Sequence, residues 1–180
     1  FINGYIDRHG KFKMKRADEK IVDSEGGKGF LIEEGKNSFW GKDLVITEND
    51  IKNLIRTKGA VYSACMVLLK NVGVGFDKID SIYMAGGFGQ HLNIDNAIRI
   101  GLLPDLDRKR FLYIGNSSLI GAYLILLTDK NREMVDATAE KMTYIELNTE
   151  PGYMNEYTGA LFLPHTDINL FPSVKKLLNL

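Results

Sequence analysis

Ile82-Tyr83-Met84-Ala85-Gly86-Gly87-Phe88-Gly89 and, further on, Phe111-Leu112-Tyr113-Ile114-Gly115-Asn116-Ser117-Ser118 decide the fold. Each is a short apolar run of strand length that ends in glycine at a turn. Between them Ile94–Ile100 reads as a helix, so the whole is a β-α-β unit. Its strands are expected to run parallel, with ligands beyond their C-terminal ends, where Gly86-Gly87 and Gly115-Asn116 fall. The two turns are therefore expected to be neighbours.

Upstream, Thr47-Glu48-Asn49-Asp50 has the Ser/Thr-x-x-acid form of a helix start, in which the hydroxyl accepts from free backbone N–H groups. Ile51, Leu54, Ile55, Val61, Tyr62, Cys65, Leu68, Leu69 and Val72 follow at helical spacing until Gly73 and Gly75 stop the pattern. Residues 1–47 alternate short apolar runs, Phe30-Leu31-Ile32 and Leu44-Val45-Ile46, with turns at Gly10, Gly26-Gly27 and Gly35. They read as a β-rich segment. Downstream, helices are expected over residues 117–127 and 131–141, a strand over 143–147, and a less regular tail over 151–180. The chain thus reads as one unit, with a β-rich segment (1–47), a central α/β lobe (48–147) and an irregular C-terminal segment (148–180).

Composition narrows the function classes. The 180 residues are 44% hydrophobic and 26% charged, with 23 basic side chains against 23 acidic ones. That balance excludes a disordered chain and a general nucleic-acid footprint. Cys65 is the single cysteine, so neither an intramolecular disulfide framework nor an all-cysteine iron–sulfur or zinc cluster can be built within this chain. A reducing, cytoplasmic setting fits. The longest apolar run, around residues 119–127, is interrupted by Gly121 and falls far short of the roughly 20 residues of a membrane span. The start, Phe1-Ile2-Asn3-Gly4, lacks an initiator Met and any signal segment, which predicts a piece of something longer.

Several stock nucleotide motifs fail. Gly27-Lys28, Gly35-Lys36 and Gly41-Lys42 are each followed by the wrong residue for a P-loop. Gly87-Phe88-Gly89 and Gly73-Val74-Gly75 approach the dinucleotide pattern but end in Leu92 and Lys78. His9, His91 and His165 show no metal spacing. No metal site and no catalytic residue is predicted.

Three places stand out. At Gly86-Gly87-Phe88, paired glycines remove both Cβ atoms where the chain turns, so that a flat ligand or a phosphate can lie against backbone. A strand-end turn needing positive φ accounts for the same glycines. At Asn116, a strand gives way to a capped helix whose small residues at positions 117, 118, 121 and 122 permit close approach, by a ligand or by a sheet. At Arg56-Thr57-Lys58-Gly59, stepping roughly 100° per residue from Ile51 brings Lys58 to within about 20° of the apolar stripe. A cation is aimed inward, unless its stem snorkels out. Gly59 beside it, at a cost of about 1 kcal/mol in helix stability, implies a close neighbour.

The order Arg-x-Lys-Gly-Ala (56–60), Ala-Gly-Gly-Phe-Gly (85–89), Gly-Leu-Leu-Pro-Asp (101–105) and Gly-Asn-Ser-Ser-Leu-x-Gly-Ala (115–122) resembles the C-terminal portion of the ATP-dependent reductive activators of corrinoid proteins. These belong to the superfamily of actin, sugar kinases and heat-shock-chaperone ATPases. The resemblance runs from residues 6–10 to 160–162 and implies an α/β fold: the C-terminal part of an actin-like, ribonuclease H-like ATPase, with a mixed sheet flanked by helices.

On that resemblance, Gly86, Gly87 and Phe88 form the turn against ribose and α-phosphate of ATP, bound as Mg-ATP in the parent. Arg56 and Lys58 lie over the adenine, and Asn116 closes its other side. Glycine backbone on one face and a long cationic stem on the other suit a base that is sandwiched. The resemblance also implies a phosphate-gripping half and a [2Fe–2S] domain outside this chain, so that this piece alone is inactive as an ATPase. The resemblance implies a parent that reduces Co(II) to Co(I) on a corrinoid protein partner, without nucleic acid or membrane, and leaves open whether it is a homodimer. A non-catalytic interaction or dimerisation module on the same scaffold, and a small-molecule kinase fragment, are the competing readings.

Overall fold

The computed structural model describes residues 1–13, 20–25 and 27–180. Strands β1 (Ile21–Ser24), β2 (Gly27–Glu33) and β3 (Leu44–Thr47) form an antiparallel sheet in the order β1-β2-β3. Its register pairs Ile21 with Phe30 and Phe30 with Ile46, and it shifts between Leu31 and Glu33. Gly26 of the expected Gly26-Gly27 turn lies outside the described residues.

Thr47 then caps α1 (Glu48–Asn71) as its sequence predicts. The Asp50 amide donates to Thr47 Oγ1 at 3.2 Å and the Thr47 amide to Asp50 Oδ2 at 2.9 Å, a reciprocal capping box. Its buried stripe is Ile55, Lys58, Gly59, Tyr62, Ser63 and Val67. Gly59 faces the end of α6 (Tyr153–Ala160), where a Cβ would meet Ala160 O at 3.3 Å.

Strand β4 (Ile82–Met84) leads into a short helix α2 (Gly86–Gln90), then α3 (Ile94–Ile100), and β5 (Phe111–Tyr113) returns parallel to β4 with Ile82 opposite Phe111. The expected β-α-β unit is present. Two helices follow, α4 (Ser117–Leu127) and α5 (Asp129–Ala139), and α7 (Pro172–Leu177) ends the chain. The core is one cluster, Tyr62, Ile98, Phe111, Ala160, Phe171 and Val174, drawn from α1, α3, β5, α6 and the C-terminal segment. Asp105 fastens that segment: it accepts from the Ser173 amide at 2.7 Å, the Ser173 hydroxyl at 2.8 Å and Arg108 at 2.9 Å.

Three expectations are corrected. Residues 143–147 form no strand, because no described strand lies beside them to complete a ladder, and Tyr144 stands in solvent. The segment 151–180 is more ordered than its composition implies, since α6 and α7 bury Ala160 and Val174 in the core. Among the described residues the strands form two small sheets, one antiparallel and one parallel, rather than a single mixed sheet. No helix of the described residues is long and apolar enough to cross a membrane.

Candidate functional site

The parallel ladder carries β4 and β5 to the same edge, and their terminal turns meet there. Ile114 N donates to Met84 O at 2.9 Å, and one step further Gly86 N donates to Gly115 O at 2.8 Å. The Tyr113 hydroxyl closes the pair by donating to Gly86 O at 2.9 Å. Gly86 takes a φ of +84° and Gly115 of +71°, values that glycine adopts without strain.

Around these turns the space is open. A Cβ added at Gly86, Gly87 or Gly115 would meet nothing within 4 Å, so the missing side chains leave bare backbone facing a volume that a ligand can occupy. Phe88, 78% exposed, stands beside it. Asn116 caps α4 by accepting from Leu119 N at 3.1 Å through Oδ1. Its Nδ2 has no partner among the described residues and is available to an acceptor. Bare backbone, an exposed aromatic ring and a carboxamide donor suit a flat heteroaromatic ligand with a phosphate attached.

The two α1 cations lie elsewhere. Lys58 is 1% exposed, as the helical stepping requires. Its ammonium donates to Pro164 O at 2.6 Å and to Phe162 O, so its hydrogen bonds go to the C-terminal segment. Burial pushes its pKa down to about 7. Arg56 lines a separate hollow with His9, Lys11, Glu48 and Lys52. The structure thus brings Gly86, Gly87, Phe88 and Asn116 together, and gives Arg56 and Lys58 other surroundings.

Sequence reasoning missed the partners of Lys58. Arg8 holds the same segment as well: Nε donates to Leu163 O at 3.1 Å, and one terminal guanidinium nitrogen donates to His165 O and to Thr166 O. His165 is buried among these groups, and its Nε2 is without a hydrogen-bond partner. Burial first, then the Lys58 charge, lowers its pKa. The only sequence signal for this cluster was the inward direction of Lys58. Beside it, an apolar hollow of about 240 Å³ is lined by Tyr62, Cys65, Leu68, Phe76 and Leu103. No group of three or more His, Cys, Asp or Glu side chains among the described residues could hold a metal ion.

By its fold the chain is a mixed α/β domain of the ASKHA type. The description that matches it, over residues 1–175, is the C-terminal domain of RACo, the ASKHA domain, and the chain belongs to that family. It is similar to the corrinoid activation enzyme RamQ of Eubacterium limosum, 33% identical over 136 residues, which cover 76% of this chain and 23% of RamQ. A reductase of Methanosarcina barkeri named for the Co(II) methylated amine-specific corrinoid protein is 28% identical over 119 residues, 65% of this chain and 22% of that protein. Among solved structures, a reductive activator for corrinoid, iron–sulfur protein superposes with a TM-score of 0.87 at 47% identity, covering 95% of this chain and 27% of that one. The chain therefore spans about a quarter of the length of the relatives it matches.

Proposed function

We propose that this chain is the nucleotide-binding part of an ATP-dependent activator that returns a corrinoid protein from Co(II) to the nucleophilic Co(I) state. The observation that carries the reading is the hydrogen-bonded pair of glycine turns, Gly86 on Gly115, at one edge of the parallel strands with open space before them. The names of the relatives support the corrinoid substrate.

In this reading the Gly86-Gly87 backbone lies against ribose and α-phosphate, Phe88 and the Asn116 carboxamide border the base, and Tyr113 fixes the turn through Gly86 O. Lys58 acts from a distance by holding the 162–164 segment to α1. ATP supplies the difference in stability between two arrangements of the parent, which is what coupling to an unfavourable electron transfer requires. The electron would come from a [2Fe–2S] centre outside these 180 residues, whose one cysteine cannot ligate it. A cytoplasmic parent that docks a corrinoid protein completes the proposal.

The test is nucleotide titration of the full-length protein beside its Gly87→Val variant. A Cβ at this position meets no protein atom within 4 Å, so a valine there obstructs the ligand, and affinity falls roughly tenfold or more while the unfolding midpoint holds. Equal affinity in both proteins overturns the site. One observation favours the second reading, an interaction or dimerisation module: α4 buries none of its residues and exposes Leu119, Ile120, Tyr123, Leu124, Leu126 and Leu127. A module of that kind gives no saturable nucleotide signal.

A further inference from the structure

The hollow beside Arg56 has no part in the proposed nucleotide site, and its walls are fixed. One wall is α1, which presents Glu48, Lys52 and Arg56 on successive turns, with Ile55 and Leu161 forming an apolar floor. The other is the loop His9-Gly10-Lys11, held rigidly in place. Asp7 Oδ1 accepts from His9 N at 2.8 Å and Lys11 N at 2.9 Å, and the His9 ring packs on Phe162 with centroids 4.5 Å apart. Gly10 lets this loop press onto the helix, since a Cβ there would meet Ile51 Cγ2 at 2.6 Å.

The charges of the lining do not balance. Glu48 is its one acid, and it is already engaged: Lys11 Nζ donates at 2.8 Å and the Phe12 amide at 3.0 Å. Lys11's hydrogen bond chiefly, then the Phe12 amide and the charges of Lys11 and Lys28, keep that carboxyl below its ordinary pKa. Asp7, on the loop itself, is taken up by the loop amides. Lys52 and Arg56 remain, four residues apart on one helical face, and neither has a partner among the described residues. Two like charges at that spacing oppose the helix.

We infer that this hollow is a binding site for a small phosphate-class dianion, gripped by Lys52 and Arg56 from α1 and by Lys11 and His9 from the facing loop. A dianion cancels the two unbalanced cations. The volume, about 290 Å³, admits a phosphate or a small phosphomonoester and falls just below the roughly 300–1,000 Å³ of small-molecule sites. The Arg56 guanidinium offers the planar fork that holds two phosphate oxygens at once, and the ammonium groups add point charges. The loop wall is set before the ligand arrives, so little ordering is lost on binding.

Equilibrium dialysis of the full-length protein against radiolabelled inorganic phosphate tests the site, with wild type beside the Lys52→Gln/Arg56→Gln double variant. The wild type is expected to hold one phosphate per chain that the variant loses, with affinity down roughly tenfold or more. Displacement of that phosphate by glycerol 3-phosphate assigns the site to phosphomonoesters, and failure to displace it assigns free phosphate. Equal phosphate uptake by the two proteins, or none by either, overturns the inference. An unchanged unfolding midpoint shows the variant folded. An unchanged nucleotide affinity separates this hollow from the glycine turns, so the two proposals fail independently.

Discussion

Lys58 Nζ lies 2.6 Å from Pro164 O and also donates to Phe162 O, while Arg8 takes the carbonyls of Leu163, His165 and Thr166. Five consecutive carbonyls of one segment are thus divided between Lys58 and Arg8. Such groups need partners once they leave water. Replacing Lys58 with methionine keeps the volume and removes both donors. Each orphaned buried carbonyl costs about 1–3 kcal/mol, offset in part by relief of the buried charge. The Lys58→Met protein is expected to lose about 2 kcal/mol in urea unfolding. A variant as stable as wild type would show that the segment finds other donors.

The same lysine gives stability a pH dependence of definite sign. Its pKa of 10.5 in the unfolded chain falls to about 7 in the folded one, because burial disfavours the ammonium. Between those values Lys58 binds more protons in the unfolded chain, so its contribution makes stability rise with pH and is lost on acidification toward about 7. Burial raises the Cys65 thiol and the Tyr62 phenol and so opposes that rise above their ordinary values of 9.0 and 10.0. His165, lowered from 6.5, adds the same sign as Lys58 at lower pH. Urea unfolding compared between the folded lysine value of about 7 and the ordinary thiol value of 9.0, below which Cys65 and Tyr62 do not oppose it, is expected to show this gain in wild type and to miss most of it in Lys58→Met. A wild-type stability that is flat or falls with pH would refute the assignment.

Gly101 ends α3 in the left-handed region, with φ at +79°, and the site of its absent Cβ lies 2.1 Å from Pro164 O. Backbone blocks that position, so the neighbour cannot step aside. Gly101→Ala is expected to cost about 3 kcal/mol or more, from a left-handed strain of roughly 1 kcal/mol plus displacement of the segment that Lys58 and Arg8 hold. Gly86→Ala is the control: its φ is +84°, yet nothing lies within 4 Å of the added atom, so only the strain remains. Thermal unfolding of both variants compares the two costs, and equal losses would contradict the packing.

How much could be read from the residues follows from the range of the forces involved. The capping box at Thr47 and the termini of α4 were legible because their signals are local: a hydroxyl three residues before an acid, and a capping Asn before an apolar run. Parallel pairing of β4 and β5 was legible because a helix between two strands leaves few other connections. The stripe of α1 also placed Lys58 inside. Its acceptors were not legible, since they lie 104 and 106 residues away on a segment with no periodicity. The expected strand at 143–147 failed for the converse reason. Alternation describes a strand's faces but supplies no neighbour to pair with.

Asn116 lets a structural role be separated from a ligand role within one side chain. Its Oδ1 caps α4 through Leu119 N, and its Nδ2 faces no protein acceptor among the described residues. Alanine removes both functions and is expected to cost about 1 kcal/mol of stability together with nucleotide affinity. Aspartate restores the cap, because a carboxylate accepts from the same amide and suits a helix N-terminus. It cannot donate, and it brings a negative charge toward a phosphate-bearing ligand. Asn116→Asp is therefore expected to unfold like wild type but to bind ATP as weakly as Asn116→Ala, or more weakly. If the aspartate protein recovers wild-type affinity, Asn116 serves only as a helix cap and the edge of the nucleotide site must be sought elsewhere along β5.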